Sequence, residues 1–235
     1  MPRPSDLNLG EYYGNEYYNT NYAHQEKIQI PEFQEAIEQI STYAHGKKIL
    51  DVGCALGFSL KVYTQNGYES YGMESSDFAV THAQKQTRFK VVQESIEGKT
   101  SWDADFFDVV TMNDVVEHLA QPIRAFEEVS RILKKGGILH IRTLNWNGLG
   151  RRIDKLDWVL LNPPGHMSYF TPETLSYALQ KSGFSIIKIN CPKILSKKWF
   201  FQKINYVIFR KIPKLDEMFA SLKLGDVMNV IAVKT

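Results

Sequence analysis

Two histidines and a short run of carboxylates are the groups in this sequence best suited to moving a proton. Asp114, Glu117 and His118 stand at i, i+3 and i+4, so a helix starting there places all three on one side. The same residues also read as a plain helix start, with Asp114 as cap, Glu117 closing a capping box and His118 a packed neighbour. His166 lies in the loop segment Asn162-Pro163-Pro164-Gly165-His166-Met167-Ser168-Tyr169-Phe170. An imidazole there titrates near neutrality and can take a proton from a hydroxyl, or can simply bond to loop backbone. A different chemistry is carried by Asp51-Val52-Gly53-Cys54-Ala55-Leu56-Gly57. A carboxylate at a strand end followed by glycines brings backbone close to a ligand where Cβ atoms would collide. Glu74, ending the next strand with Ser75 beside it, can accept both hydroxyls of a ribose. Ala55 stands between Gly53 and Gly57, so the three-glycine cradle of a dinucleotide is not met.

The elements that must hold these groups follow from periodicity. Lys48 to Val52, Glu69 to Met73, Phe89 to Val92, Phe107 to Met112 and Ile138 to Arg142 read as strands. Helices are expected from Pro31 to Ala44, over Phe58 to Asn66, and from Pro122 to Leu133 with Gly136-Gly137 as the stop. Thr171 can cap a further helix that has Pro172 at its first position and ends near Gly183, followed by strands at Phe184 to Ile189 and Asp226 to Val233. Alternating strands and helices imply an α/β fold, doubly wound, with a mainly parallel seven-stranded sheet covered on both faces. Residues 1–45 form an N-terminal arm and helix that serve as a lid. Residues 46–235 form the main domain, with helical cap insertions at 144–171 and 191–225.

Taken together, Ile49 to Gly57, Tyr71-Gly72-Met73-Glu74, Phe107-Asp108-Val109-Val110, Asp114 to Leu119 and Leu133-Lys134-Lys135-Gly136-Gly137 resemble the class I S-adenosylmethionine-dependent methyltransferases. The resemblance runs over nearly the full length and falls nearest the small-molecule branch that acts on quinones and sugars. It implies a Rossmann-like methyltransferase fold, S-adenosylmethionine as cofactor and S-adenosylhomocysteine as product. It implies that Asp51, Gly53, Cys54 and Gly57 approach the methionine part, that Glu74 holds the ribose, and that Glu94, Ser95 and Ile96 flank the adenine. Asn113 would lie along the cofactor. Quinone-type relatives carry Glu-x-x-Glu-His where this chain has Asp114 to His118; with the shorter Asp114 in first place no metal is expected. His118 and His166 remain the candidates for a general base. The implied activity is O-methylation of a small or carrier-linked sugar, phenol or quinol-type metabolite. N-methylation of an amino sugar or amine, and a cofactor-binding but inactive partner subunit, are the alternatives.

Composition narrows the partners. A net charge of +2 does not by itself point to nucleic acid, and no recognised binding module accompanies the basic residues. The 2 cysteines, Cys54 and Cys191, lack metal or disulfide spacing, which fits a reducing cytoplasm. The first residues lack the apolar core of a signal peptide. Tyr17, Tyr18 and Tyr22 could fold over the cofactor, where an aromatic face attracts the positive sulfonium. From Lys193 to Lys214 lysines and arginines alternate with Trp199, Phe200, Phe201 and other apolar residues, with no acidic side chain. That segment suits peripheral contact with a membrane or an anionic carrier, or a cap packed on its own domain or on the second subunit of a homodimer.

Overall fold

The computed structural model describes residues 25–87, 89–195 and 221–235. Among these, seven strands form one sheet in the order β3-β2-β1-β4-β5-β7-β6. The strands are β1 (Lys48–Val52), β2 (Glu69–Glu74), β3 (Lys90–Gln93), β4 (Phe107–Asn113), β5 (Leu133–Leu144), β6 (Phe184–Lys193) and β7 (Val227–Lys234). Neighbouring pairs from β3 across to β5 are parallel, and β7 runs antiparallel between β5 and β6. The order reverses at β1, so the carboxyl ends of β1 and β4 open onto the crevice where sheets of this kind bind ligands. No helix among the described residues is long and apolar enough to cross a membrane.

Both faces of the sheet are covered. Helix α1 (Glu26–Ser41) buries Phe33, Ala36, Ile37 and Ile40, one stripe at helical spacing, against Ile49, Val109, Ile138 and Ile231. It starts five residues earlier than Pro31 suggests, and Pro31 sits inside it. A proline there forfeits one backbone bond, and the burial of the stripe outweighs it. Helix α1 is therefore packed into the core. Helix α2 (Phe58–Gln65) follows the Asp51 turn, and α3 (Asp77–Thr87) follows β2. On the other face α4 (Pro122–Ile132) buries Ala125, Phe126, Val129 and Ile132, and α6 (Pro172–Lys181) buries Leu175, Ala178 and Leu179. Thr171 caps α6 as expected: its hydroxyl accepts from the Thr174 N–H, and Pro172 takes the first position.

Gly136-Gly137 does not stop a helix. Helix α4 ends at Ile132, Leu133 is already extended, and β5 runs on through both glycines. Gly136 takes φ +76° where the ladder with β4 shifts register between Phe107 and Val109. The pair absorbs an irregularity in a strand, a role glycine fills because it tolerates left-handed backbone. The 144–171 insertion holds α5 (Leu149–Asp154) and a single 3-10 turn, Lys155–Asp157. Most of the 191–225 insertion, including the basic aromatic segment from residue 196 on, lies outside the described residues, as do Tyr17, Tyr18 and Tyr22.

Candidate functional site

The Asp51 turn is built by pairing β1 with β4. Their register sets Asp51 opposite Thr111. The buried Asp51 carboxylate accepts from Thr111 Oγ1 at 2.5 Å, from Asn113 Nδ2 at 3.3 Å and from the Ser59 hydroxyl in the first turn of α2. Asn113 Nδ2 also donates to Tyr63 Oη at 3.2 Å. One carboxylate thus ties the ends of β1 and β4 to α2. Burial pushes its pKa up to about 6, against the lowering effect of Ser59, Thr111 and Asn113, with the charge of Glu74 adding to the rise.

That shift predicts a pH dependence. Between the ordinary Asp value of 3.8 and about 6 the folded state holds more protons than the unfolded one, so Asp51 contributes less stability as pH rises through the window. At 1.36 kcal/mol per unit the full loss is about 3 kcal/mol. The Tm of wild type minus that of Asp51→Asn should therefore shrink as pH rises from 4 towards 7 on the roughly two-unit span set by desolvation. A difference that stays constant with pH refutes the assignment.

After Asp51 the chain turns back. The N–H groups of Gly53 and Cys54 both donate to Met73 O, at 2.7 and 3.1 Å. Gly53 and Gly57 take φ +71° and +83°, and Gly57 is the N-cap of α2. A Cβ on Gly53 would lie 2.6 Å from Val115 Cγ2, so the glycine allows the turns after β1 and β4 to touch. Ala55 is itself left-handed at φ +47°, the conformation glycine would adopt more easily. Its N–H donates to Glu74 Oε2 at 3.0 Å, while Glu74 Oε1 accepts from the N–H groups of Ser75 and Ser76 at 2.7 and 2.9 Å. Glu94 continues the line, its N–H donating to Glu74 O at 3.2 Å and its Oε2 accepting from Ser101 N at 2.9 Å. Ser95 is exposed, and Ile96 is buried in the core between β4 and α4. Cys54 is buried against β2 and β3, its thiol pushed well up by burial.

At the end of β4 the chain does not enter a helix at Asp114. Asp114 adopts φ +54°, and a 3-10 turn spans Val116–His118 with Val115 as its N-cap and no capping box. Asp114 is therefore held near Glu117 and His118 by the turn and not by a shared helix face, and its charge acts on both. Its carboxylate pairs with Arg142, which also reaches Glu32 on α1 at 3.2 Å. Glu117 turns inward, where its Oε2 accepts from Thr143 Oγ1 at 2.7 Å. Burial, then the charge of Asp114, raises the Glu117 pKa to about 7.

His118 and His166 come together. The N–H groups of Met167 and Ser168 donate to Glu117 O at 2.7 and 2.9 Å, which pins the insertion to the 3-10 turn. The two imidazole centroids lie 4.8 Å apart. Nδ1 of His118 is 2.8 Å from Gly165 O, and Nδ1 of His166 is 2.8 Å from Leu160 O. A carbonyl oxygen only accepts, so each Nδ1 carries the proton and Nε2 is the basic atom of each neutral ring. Burial lowers both pKa values, which keeps the rings neutral near pH 7. Glu117, His118 and His166 each offer one ligand atom, all within 4.8 Å of one another, near enough for a divalent cation to draw together. Asp114, whose shortness argued against a metal, is not in that group. Tyr63, Ser59, Thr111, Arg142 and Thr143 escape sequence reasoning, because what marks them is the register that places them beside Asp51, Asp114 and Glu117.

Comparison with known proteins identifies the family and the fold. A family model described as a methyltransferase domain matches residues 22–189. A ubiquinone biosynthesis O-methyltransferase of Actinobacillus pleuropneumoniae is 28% identical over 118 residues, 46% of this chain and 50% of that one. The chain spans about half the length of the curated relatives it matches. Among solved structures, a SAM-dependent methyltransferase from Archaeoglobus fulgidus superposes with a TM-score of 0.64 at 22% identity, covering 92% of this chain and 100% of that one. A possible histamine N-methyltransferase from Thermotoga maritima gives 0.67 at 18%, covering 94% and 98%. These likenesses place the sheet and its helices among methyltransferase folds, and the match over most of the sequence shows that the chain belongs to the methyltransferase domain family.

Proposed function

We propose that this protein transfers the methyl group of S-adenosylmethionine to a hydroxyl oxygen of a small or carrier-linked metabolite. When bound, the cofactor supplies an already activated methyl on a positive sulfonium. The residues present fit it. The left-handed turn at Gly53 and Gly57 offers backbone without side chains in the way, Glu74 Oε2 holds one protein donor and keeps a lone pair for a ribose hydroxyl, and Ile96 offers an apolar neighbour.

The observation that carries the oxygen acceptor is the histidine pair. A neutral amine needs no base before it accepts a methyl, whereas a hydroxyl gains from losing its proton as the bond forms. Two neutral imidazoles, each oriented by a backbone carbonyl, stand beside the end of β4 to take that proton. The remaining rate comes from alignment of acceptor and methyl in a site shielded from water. The relatives whose names specify O-methylation support the same reading.

Incubation of the full chain with trideuteromethyl S-adenosylmethionine and matched hydroxyl and amino acceptors, read by mass spectrometry, tests it. Label on oxygen is expected, and label found solely on nitrogen overturns the reading. Replacing both His118 and His166 with asparagine should lower turnover about 100-fold, the usual worth of a positioned base. S-adenosylhomocysteine affinity should stay within about twofold, under 0.5 kcal/mol.

A further inference from the structure

A row of aromatic rings leads away from the histidine pair along the segment that follows β5. Between ring centroids, His166 lies 6.3 Å from Tyr169 and Tyr169 lies 5.1 Å from Trp146. Backbone fixes the row: Trp146 N–H donates to Phe170 O at 2.8 Å, and Asn145 bridges Phe170, so the end of β5 is tied to the segment that carries His166 and Tyr169. At the outer end the guanidinium of Arg151, on α5, stacks on Trp146 with its carbon 4.0 Å from the ring centroid. His166, Tyr169, Trp146 and Arg151 are all partly exposed, so the row is a surface that a ligand can touch.

The described residues leave the Arg151 charge unanswered. Arg142 pairs with Asp114 and Glu32, and Arg131 with Glu128, but the Arg151 guanidinium enters no ion pair among the described residues. Asp226 accepts from the backbone N–H of Arg151 at 2.9 Å, and the N–H groups of Gly150 and Leu195 fill its other oxygen at 3.0 and 2.7 Å. Of the other charges on α5 and its 3-10 turn, Arg152 and Lys155 offset Asp154 and Asp157, which leaves Arg151 as the excess.

Geometry then says which atoms are on offer. Arg151 Nε is buried without an acceptor, and it is the only nitrogen of that group so enclosed, so the terminal nitrogens face outward. The Trp146 face holds the guanidinium plane by a cation–π contact and spends none of its donors. A planar cation held in this way with its terminal N–H groups free matches a carboxylate or phosphate, which it can bind through two parallel bonds.

Resting on the methyltransferase reading, we infer that Arg151 binds an acidic group of the methyl acceptor, a carboxylate or a phosphate, while Trp146 and Tyr169 lie along the acceptor between that group and the hydroxyl at the histidine pair. The test is calorimetric titration of the full chain in the presence of S-adenosylhomocysteine with matched charged and neutral probes. The pairs are para-coumarate with its amide, glucose phosphate with glucose, and UDP-glucose with methyl glucoside. In at least one pair the anion should bind at least about 10-fold tighter, the worth of a hydrogen bond to a charged group. Arg151→Met keeps the stem on Trp146 and removes the charge, so it should erase that preference with Tm and S-adenosylhomocysteine affinity unchanged. Arg151→Lys should keep part of it. Equal binding within every pair, absence of binding by all probes, or a preference that survives Arg151→Met overturns the assignment. So does binding to phosphatidylglycerol vesicles that Arg151→Met abolishes without any preference among the soluble pairs, which gives the residue to a membrane surface. In each of these cases retained S-adenosylhomocysteine binding leaves the methyltransferase reading standing, and failure of wild type to bind S-adenosylhomocysteine takes down both.

Discussion

Replacing Gly53 with alanine should weaken cofactor binding about 1000-fold and cut turnover while the rest of the sheet still folds. At φ +71° an L side chain carries a strain of about 1–2 kcal/mol. The added Cβ would also sit 2.6 Å from Val115 Cγ2. Valine is stiff at χ1 and cannot swing its methyl aside cheaply. One of the two turns must then retreat, and Val115 is the N-cap of the 3-10 turn that carries Glu117 and His118. The substitution therefore displaces the proposed methyl-donor cradle and the proposed base together. A loss of about 4 kcal/mol in S-adenosylhomocysteine binding, roughly 1000-fold, is expected by calorimetry. Ala55→Gly is the control. It relieves φ +47° but removes a methyl that is 5% exposed in the core, and the two terms, each near 1 kcal/mol, largely offset. If Gly53→Ala binds as tightly as wild type, the turn is not the cofactor cradle.

The first four strands were legible because each is an apolar run closed within two residues by glycine or a carboxylate, and the parallel order follows from their alternation with helices. Helix α3 was not legible. Its inward residues are small, Ala79, Val80 and Ala83, so the sequence shows little contrast between its faces. Pro31 misled in the other direction, since a proline suited to a first turn also survives one turn further in where tertiary burial outweighs the lost bond.

The site divides along the same line. Asp51, the two glycines, Glu74 and Asn113 lie at strand ends and in one turn, so local pattern finds them. Ser59, Thr111 and Tyr63 act on Asp51 only after β1 lies beside β4 with Asp51 opposite Thr111. The spacing of Asp114, Glu117 and His118 presupposed a helix, and a single left-handed residue at Asp114 sends its carboxylate to Arg142 instead. His118 and His166 each looked like a lone candidate. The two backbone bonds from Met167 and Ser168 to Glu117 O make them a pair, and no feature of either segment alone announces that contact.

Glu74→Ala should cost about as much in cofactor affinity as Gly53→Ala, by a separable route. The Glu74 carboxylate is 7% exposed and holds three backbone N–H groups, those of Ala55, Ser75 and Ser76. Ala55 and Ser76 are buried, so water cannot easily replace the acceptor, and stability should fall by about 2–4 kcal/mol. That loss alone does not prove a role in binding. The discriminating measurement pairs the variant with S-adenosylhomocysteine and its 3′-deoxy analogue. If Glu74 accepts ribose hydroxyls, each bond to the carboxylate is worth about 1.5–3 kcal/mol, so wild type should prefer the hydroxylated form by at least about 10-fold. The alanine variant should lose that preference as well as about 1000-fold in absolute affinity. Oε1 already serves two N–H donors while Oε2 serves one, which makes Oε2 the oxygen a ribose hydroxyl reaches without displacing a protein bond. A variant that binds weakly yet still distinguishes the two forms assigns Glu74 to the turn alone and leaves the ribose to another residue.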